Sequence, residues 1–435
     1  MTTDELRETA STERKTRRNT LLLICDLAAF NVGTTFLGGT TIMPGLVRAL
    51  GGGPLIVGSL SAIQSGGWML PQLVAGRYTA NRPKVMKYIL IPCGTGRALM
   101  ALYALVLALL GVRLPKMALA GLLLALTAFW VADALTSVPW FDLVAKAIPI
   151  ERRGRAMGIS QSLSSLLGIG VGVLVSRIMA RPAAFPANNV LLIVLASACF
   201  GASYITLLLI REPAGVTQSE KQPSWGEYIP RLGAILRHDP RFVWFTIVNW
   251  LGGLADMGAA FYVLFAADRL HIPLSDVGLF ISAGVVGSLL SGIVLGPVGD
   301  RRGAGTVITI VMALRCLGPL LALCAPLLAA LHPLGGVAAL SLVFAAGGIA
   351  GGAMMTGFMN YLLEIAPAHE RPTYTGLANT LNGVVVLAPL LAGWLVQAAS
   401  YEVLFSVSLC MAVLGLLVAL RRPRIAQPAP AIARE

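Results

Sequence analysis

The stretch "AIPIERRGRAMG", residues 147–158, has a second version in "IAPAHERPTYTG", residues 365–376. In both stretches an acid and an arginine follow a proline, and a glycine stands nine residues after that proline. Pro149 and Pro367 are 218 residues apart, and so are Gly158 and Gly376. A signature that returns about half a chain length later indicates an internal repeat.

The composition predicts a membrane protein. The chain has 435 residues, of which 56% are hydrophobic and only 12% are charged. Soluble proteins carry roughly 25% charged residues, so this chain has too little charge to solvate a globular surface. The six cysteines lie inside apolar runs without the spacing of metal ligands or disulfides, and we expect them to be buried apolar residues.

Twelve apolar runs are long enough to cross a bilayer, which requires about 20 residues each. We number them as spans 1 to 12. They are residues 20–43, 55–76, 85–110, 116–145, 156–179, 187–210, 241–266, 275–298, 304–330, 334–364, 373–398 and 402–420. The polar segment 1–19 does not have the features of a cleaved signal peptide, so span 1 is expected to be retained.

The basic residues set the expected orientation. Of the 33 Lys and Arg residues, 25 flank the spans on one side, six on the other, and two lie within spans. The positive-inside rule then places both termini in the cytoplasm of a multi-pass protein of the inner (plasma) membrane. This distribution also accounts for the net charge of +13, so no nucleic-acid partner is needed.

One long polar segment, residues 211–240, divides the spans into two sets of six. We expect a cytoplasmic tail at 1–19, a six-helix bundle at 20–210, a cytoplasmic linker at 211–240, a second bundle at 241–420 and a tail at 421–435. Within the linker, "SWGEYIPRLGAILR" is also compatible with a short amphipathic helix on the membrane surface.

Other residues repeat at nearly the same separation. Arg97 and Arg315 are 218 residues apart, and the pairs Gly76/Gly296 and Gly58/Gly278 are each 220 apart. The chain is therefore interpreted as two six-helix units in the same orientation, related by an axis along the membrane normal.

These features resemble the major facilitator superfamily. The resemblance rests on the two six-span halves, the loop Gly-Pro-Val-Gly-Asp-Arg-Arg-Gly at 296–303 after span 8, and the Pro…Arg-Gly-Arg loop after span 4. The loop after span 2 departs from the pattern, because Ala80 stands where Asp is expected. The resemblance implies an all-α fold of twelve transmembrane helices and alternating-access transport of a small molecule. It also implies that spans 1, 4, 7 and 10 line a central cavity.

The resemblance further implies that each loop arginine pairs with an acid at the inner end of span 4 or span 10. The matching pairs are Arg82–Asp142 and Arg301–Glu364, and we predict that they act as latches which change between access states. The alternative is static interfacial ion pairs, each worth little. The full set of cytoplasmic gate candidates is Gly76, Arg82, Asp142, Arg153, Asp300, Arg301, Glu364 and Arg371.

Five charged residues lie inside spans, where insertion costs at least ~2.5–3.5 kcal/mol each. They are Asp26, Arg97, Asp133, Asp256 and Arg315. A carboxylate in this setting is able to bind and release a proton as its access to water alternates, so the three aspartates are proton-coupling candidates, with Asp26 and Asp133 ahead of Asp256.

Arg97 and Asp133 are each about 12 residues from the cytoplasmic end of their spans, or roughly 18 Å deep. Equal depth on adjacent spans suggests an ion pair, either functional or one that only joins spans 3 and 4. The repeat gives Arg315 no such acid, since Gly351 stands at the position equivalent to Asp133. Arg315 is therefore expected to face a carbonyl group, Asp256 or an anionic substrate.

Polar and aromatic residues with helical spacing mark the expected cavity wall. Span 4 carries Trp130, Asp133, Ser137 and Trp140 on one face. Trp140 also fits the aromatic belt at a membrane interface. The substrate-cavity candidates are Gln64, Arg97, Trp130, Ser137, Asn249 and Arg315.

The sequence has no phosphate-binding loop of an ATPase and no cluster of catalytic or metal-ligating side chains, so neither an enzyme nor a bound cofactor or metal is predicted. The leading interpretation is proton-coupled export of a drug or metabolite by a monomer. Proton-coupled uptake by symport is the alternative. A receptor or assembly factor that uses this fold without transporting is a hypothesis of another class.

The latch hypothesis makes a first prediction. Asp142→Asn and Glu364→Gln remove the acid of each pair without changing its size, so transport should slow if the pairs help to switch access states. The measurement is uptake or efflux over a range of substrate concentrations. Normal transport by both variants at every concentration would end the hypothesis.

Overall fold

The computed structural model describes residues 3–72, 74–75, 82–181, 185–213, 233, 235–367 and 371–423, and these residues contain no β-strand. The α-helices of the first half are Thr3–Leu37, Ile42–Ala49, Pro54–Met69, Met86–Leu110, Pro115–Ala147, Ile150–Met179 and Ala187–Leu209. Those of the second half are Pro240–Ala255, Tyr262–Arg269, Val277–Arg302, Ala304–Leu331, Gly335–Gly352, Asn360–Ile365, Arg371–Asn382, Ala388–Ala398 and Tyr401–Leu420.

The all-α membrane fold predicted from composition is confirmed. Eleven helices in the described part of the chain are long and apolar enough to cross a membrane. Span 2 is the one not among them; its helix Pro54–Met69 has 16 residues. The first helix begins at Thr3, so the segment expected to be a tail continues span 1 as helix. Glu, Lys, Arg and Ala are strong helix formers, which explains the extension.

The two halves repeat the same packing. In the first half, span 1 packs on span 6, span 3 packs on spans 4 and 6, and span 2 packs on span 4. In the second half, span 7 packs on span 12, span 9 packs on spans 10 and 12, and span 8 packs on span 10. This correspondence is the structural counterpart of the repeated sequence signature.

Two helix crossings bring the halves together, span 2 on span 11 and span 5 on span 8. At the first, a Cβ on Gly58 would lie 2.1 Å from the carbonyl oxygen of Pro389. At the second, a Cβ on Gly278 would lie 2.1 Å from the carbonyl oxygen of Gly172. Gly58 and Gly278 are the repeat-related pair found in the sequence. Each therefore serves the same purpose, which is to let a helix of the other half approach at backbone distance.

Both crossings lie toward the side of the bundle opposite the chain termini, which we call the far side; the other is the terminal side. On the far side Arg48 forms an ion pair with Asp268, and the Ser176 hydroxyl donates to the carbonyl of Ser275 at 2.6 Å. The Ser282 hydroxyl also donates to the carbonyl of Ile169 at 3.3 Å, and all three of these contacts between the halves lie in the far-side half of the bundle. The two halves are therefore held together on the far side.

The second half contains breaks that the apolar pattern did not predict. Span 7 changes from α-helix to a 3₁₀ segment at Asp256–Phe261, and span 10 changes to a π-helix at Met354–Met359. Span 11 contains a third break, at Val385–Leu387. Changes of helix type inside a span are frequent at functional sites.

The glycines of span 5 allow a matched test of the crossing. Gly172→Ala places its methyl group 2.6 Å from the carbonyl oxygen of Gly278, whereas a Cβ on Gly170 meets no atom within 4 Å. Both changes gain about 1 kcal/mol of helix propensity. We expect Gly170→Ala to keep or raise the melting temperature of the purified protein and Gly172→Ala to lower it. Equal melting temperatures would contradict the close crossing.

Candidate functional site

A cavity of about 620 Å³ lies between the halves. Its first-half wall carries uncharged polar side chains, whereas its second-half wall carries two charged groups and several aromatic rings. The polar residues of the first half are Asn31, Thr34, Thr35, Thr40, Thr41, Gln64, Gln161, Ser164 and Ser165. The charged and aromatic residues of the second half are Asp256, Tyr262, Phe280, Arg315 and Phe344.

The two charged groups form an ion pair, with Nη2 of Arg315 2.8 Å from Oδ2 of Asp256. Of the partners expected for Arg315, the structure therefore shows Asp256. The two groups are unequally exposed: the Asp256 side chain is 50% exposed and that of Arg315 is 14%. The carboxylate thus faces the cavity, while the guanidinium lies mostly in the wall.

Local backbone features place this pair. The α-helix of span 7 ends at Ala255, and Asp256 begins the 3₁₀ segment that follows it. One turn earlier, a Cβ on Gly252 would lie 2.0 Å from Nη1 of Arg315, so a larger residue there would require the guanidinium to move from its place against this helix. The sequence showed these charges but gave no sign of the helix break.

Asp26 lies inside the first half and is only 4% exposed. It accepts a hydrogen bond from Nε1 of Trp140 at 2.8 Å and another from the hydroxyl of Ser203. These bonds join span 1 to spans 4 and 6. Trp140, which the sequence left between cavity and membrane interface, is thus a partner of a buried acid.

The direct Arg97–Asp133 ion pair suggested by equal depth does not form among the described residues. Nη1 of Arg97 instead donates to the carbonyl of Phe200 at 3.0 Å, and its guanidinium lies 5.9 Å from the ring centre of Phe30. Asp133 is hydrogen-bonded to Trp68 and interacts with Arg97 only as a nearby charge. Equal depth on two helices does not fix the rotation of either helix, which decides whether side chains meet.

The remaining cavity candidates separate into two groups. Gln64 lines the cavity, and with Trp130 it also lines a smaller space of about 40 Å³ beside it. Ser137 donates within its own helix to the carbonyl of Ala134 at 2.9 Å. Asn249 donates to Asn382 at 2.9 Å. Arg97, Ser137 and Asn249 do not belong to the described cavity lining.

Sequence reasoning missed most of the polar wall. Span 1 carries Asn31, Thr34 and Thr35, and span 5 carries Gln161, Ser164 and Ser165. Both sets follow the i, i+3, i+4 spacing of one helix face, which was a readable signal. These uncharged residues of spans 1 and 5 were not among the predicted cavity residues.

The predicted latches are not formed in this structure. Asp142 pairs with Lys146 at 2.6 Å, one turn away on its own helix, and not with Arg82. Within the described residues Arg301 and Glu364 have no ion pair with each other, and both are exposed together with Asp300. Gly76 and the side chain of Arg371 lie outside the described residues, as does most of the linker.

The repeated signature holds helix ends on the terminal side. Arg153 donates to the carbonyls of Ala145 at 2.5 Å and Ile148 at 2.8 Å, which are the last unpaired carbonyls of span 4. In the second copy Tyr374 donates at 2.9 Å to Asp239, whose carboxylate caps the first turn of span 7. The sequence predicted a gate here, and the observed contacts are caps and anchors.

The Asp26 contacts give a stability prediction. Trp140→Phe removes a donor to a buried carboxylate and should cost about 1.5–3 kcal/mol beyond the loss of ring volume. The control is Trp130→Phe, because the indole N–H of Trp130 has no hydrogen bond in the described part of the chain. The melting temperature of purified protein should fall further for Trp140→Phe. An equal fall in both variants would show that the bond adds nothing.

Residues 245–435 match the sequence family described as "Major Facilitator Superfamily". No curated protein matches the sequence. Among solved structures, the chain is similar to the nucleoside transporter NupG (14% identity, TM-score 0.63, 94% of this chain and 98% of that one) and to a D-xylose-proton symporter (13%, 0.64, 93% and 98%). It is also similar to an inward-facing bacterial homologue of the iron transporter ferroportin (15%, 0.66, 93% and 98%).

At these identities the structures establish a shared fold over both halves, and the sequence match covers the second half, where the repeated loop follows the family pattern fully. The second half of the chain therefore matches the Major Facilitator Superfamily in sequence, and the chain as a whole has the fold of solved membrane transporters.

Proposed function

We propose that the protein is a secondary active transporter that moves a small molecule through the cavity between its halves by alternating access. The observation that carries this proposal is the half-exposed Asp256–Arg315 pair in a cavity whose far side is closed by two backbone crossings. Opening those crossings and closing the terminal side would present the same cavity to the other side of the membrane.

Proton coupling is assigned to Asp256 in this proposal. Of the three candidate acids, Asp256 is the one that lines the described cavity, whereas Asp26 is enclosed by Trp140 and Ser203. A carboxylate half-exposed to the cavity exchanges protons with whichever side the cavity faces. Asp26 and Asp133 are retained as a second acidic group within the first half, close to the single charge of Arg97.

Export by antiport is the direction that the cavity chemistry favours. Its described lining contains a single carboxylate, so a proton and a positively charged substrate would compete for it. Competition makes binding of one release the other, which is the requirement for antiport. A symporter instead needs both ligands bound together, and proton-coupled uptake is therefore the second candidate.

The remaining features of the proposal concern topology and gating. The 25-to-6 distribution of Lys and Arg supports an inner-membrane protein with cytoplasmic termini. The terminal side is then the cytoplasmic side, and the far side, where the halves meet, is the outer side. The unformed Arg82–Asp142 and Arg301–Glu364 pairs suit a role as latches that form when this side closes. The functional unit in this proposal is the monomer.

The test is a compound-resistance panel in an efflux-deficient bacterial host at matched membrane expression. The wild type should allow growth at higher concentrations of some compounds, and Asp256→Asn should abolish that resistance because the site of competition is lost. Glu13→Gln is the matched control, since it removes an exposed carboxylate at 69% exposure outside the cavity. Asp133→Asn, tested in parallel, reports on the acidic group of the first half.

Other results would redirect the proposal. Greater sensitivity to a compound would point to uptake. Transport into inverted vesicles that survives collapse of the pH gradient would rule out proton coupling. No effect across the panel, together with no flux of any bound compound, would support a receptor or assembly role.

A further inference from the structure

The charges of the cavity limit what it binds. Its described lining contains one carboxylate and one guanidinium, so these two groups cancel and the cavity has no net charge. A multiply charged ligand would enter without compensating charges, at a high desolvation cost. A neutral cavity with one accessible ionic group therefore selects by the sign of that group.

The accessible group is negative. Both side chains line the cavity, but half of the Asp256 side chain is exposed and only 14% of that of Arg315. The guanidinium is bordered by Asp256, by the sulfur of Met312 at 3.7 Å and by the ring of Phe358 at 5.5 Å, and its Nε is buried without a hydrogen-bond partner among the described residues. Because that nitrogen has almost no exposed surface, an anion in the cavity does not reach it, whereas a cation reaches the half-exposed carboxylate directly.

The walls define the rest of the ligand. Tyr262, Phe280 and Phe344 form a connected aromatic cluster in the wall: Phe280 and Phe344 stack at 5.2 Å between ring centres, and Tyr262 meets Phe344 edge-on at 6.3 Å. Phe280 and Tyr262 are buried behind Phe344, which is the partly exposed ring of the three. Aromatic faces attract organic cations and stack on flat apolar groups. Across the cavity Gln64 makes no hydrogen bond within the part of the chain described, which leaves its amide available to a polar substituent.

We propose that this cavity binds organic monocations, with an amine or onium group at Asp256 and an aromatic body against the partly exposed ring of Phe344. This inference rests on the proposed function only for its use in transport, because binding at equilibrium requires neither a gradient nor movement. The volume of about 620 Å³ falls within the range of about 300–1,000 Å³ that holds drug-sized molecules.

Two ions of equal shape and opposite charge test the proposal: tetraphenylphosphonium and tetraphenylborate. Binding of each to the purified full-length protein is measured at equilibrium, with empty detergent micelles as the blank. The wild type should prefer tetraphenylphosphonium by at least about tenfold. Preference for tetraphenylborate, equal affinity for both ions, or no binding of tetraphenylphosphonium would overturn the proposal.

Paired substitutions assign the effect to the cavity. Asp256→Asn leaves Arg315 unbalanced and should weaken tetraphenylphosphonium binding about tenfold while strengthening tetraphenylborate binding. Arg315→Gln should shift both affinities in the opposite direction. Glu13→Gln, which removes a surface carboxylate, should change neither. If Asp256→Asn does not fold, Asp256→Glu should keep the preference for the cation. Arg315→Gln then still tests whether the cation is bound more tightly and the anion more weakly.

The experiments distinguish failure of the cation-binding proposal from failure of the proposed transport function. If the affinities do not depend on Asp256 or Arg315, the charge argument is overturned, yet proton-coupled transport of another ligand class stays open to the resistance panel. If the affinities change as expected but no transport follows, the cation site stands and the transport proposal fails.

Discussion

The approach of helix backbones at two points, span 2 on span 11 and span 5 on span 8, is the constraint on which the rest of the structure depends. Gly58, Gly172 and Gly278 have no side chain that would hold the helices apart. Packing at this distance brings the halves together on the far side, and the cavity lies in the space that remains between them. Closure on one side and a central binding space thus have one physical origin.

The membrane makes charge placement the second constraint. Four of the five intramembrane charges named above have a partner that offsets their cost: Asp26 has Trp140 and Ser203, Arg97 has a backbone carbonyl, and Arg315 and Asp256 have each other. The Asp26 and Arg97 contacts are internal to one half, where they hold helices together. The Asp256–Arg315 pair differs because it borders the cavity. Asp26 and Asp256 have the same chemistry, but only the position of Asp256 makes it a candidate for ligand binding and proton exchange.

The sequence supported good predictions wherever a signal was local or periodic. Apolar runs located most spans to within a few residues, although the helix of span 1 begins much earlier, at Thr3. The 218-residue repeat predicted two similar halves, and the packing confirms them. Predictions about pairs of residues were less successful. Arg97 and Asp133 have equal depth without direct contact, and Asp142 pairs along its own helix with Lys146. Depth follows from counting residues, but contact also depends on helix rotation and on rotamers set by neighbours.

By itself the sequence determined the membrane environment, the number of apolar runs, the internal repeat and the family loops, because composition and spacing encode these features directly. Only the tertiary structure decided which acid faces the cavity, which partner Arg315 takes, and that the polar wall comes from Asn31, Gln161 and their neighbours on spans 1 and 5. Those outcomes depend on helix breaks such as that at Asp256 and on how two separate bundles face each other. Both arise from packing between segments hundreds of residues apart, which no local pattern in the chain records.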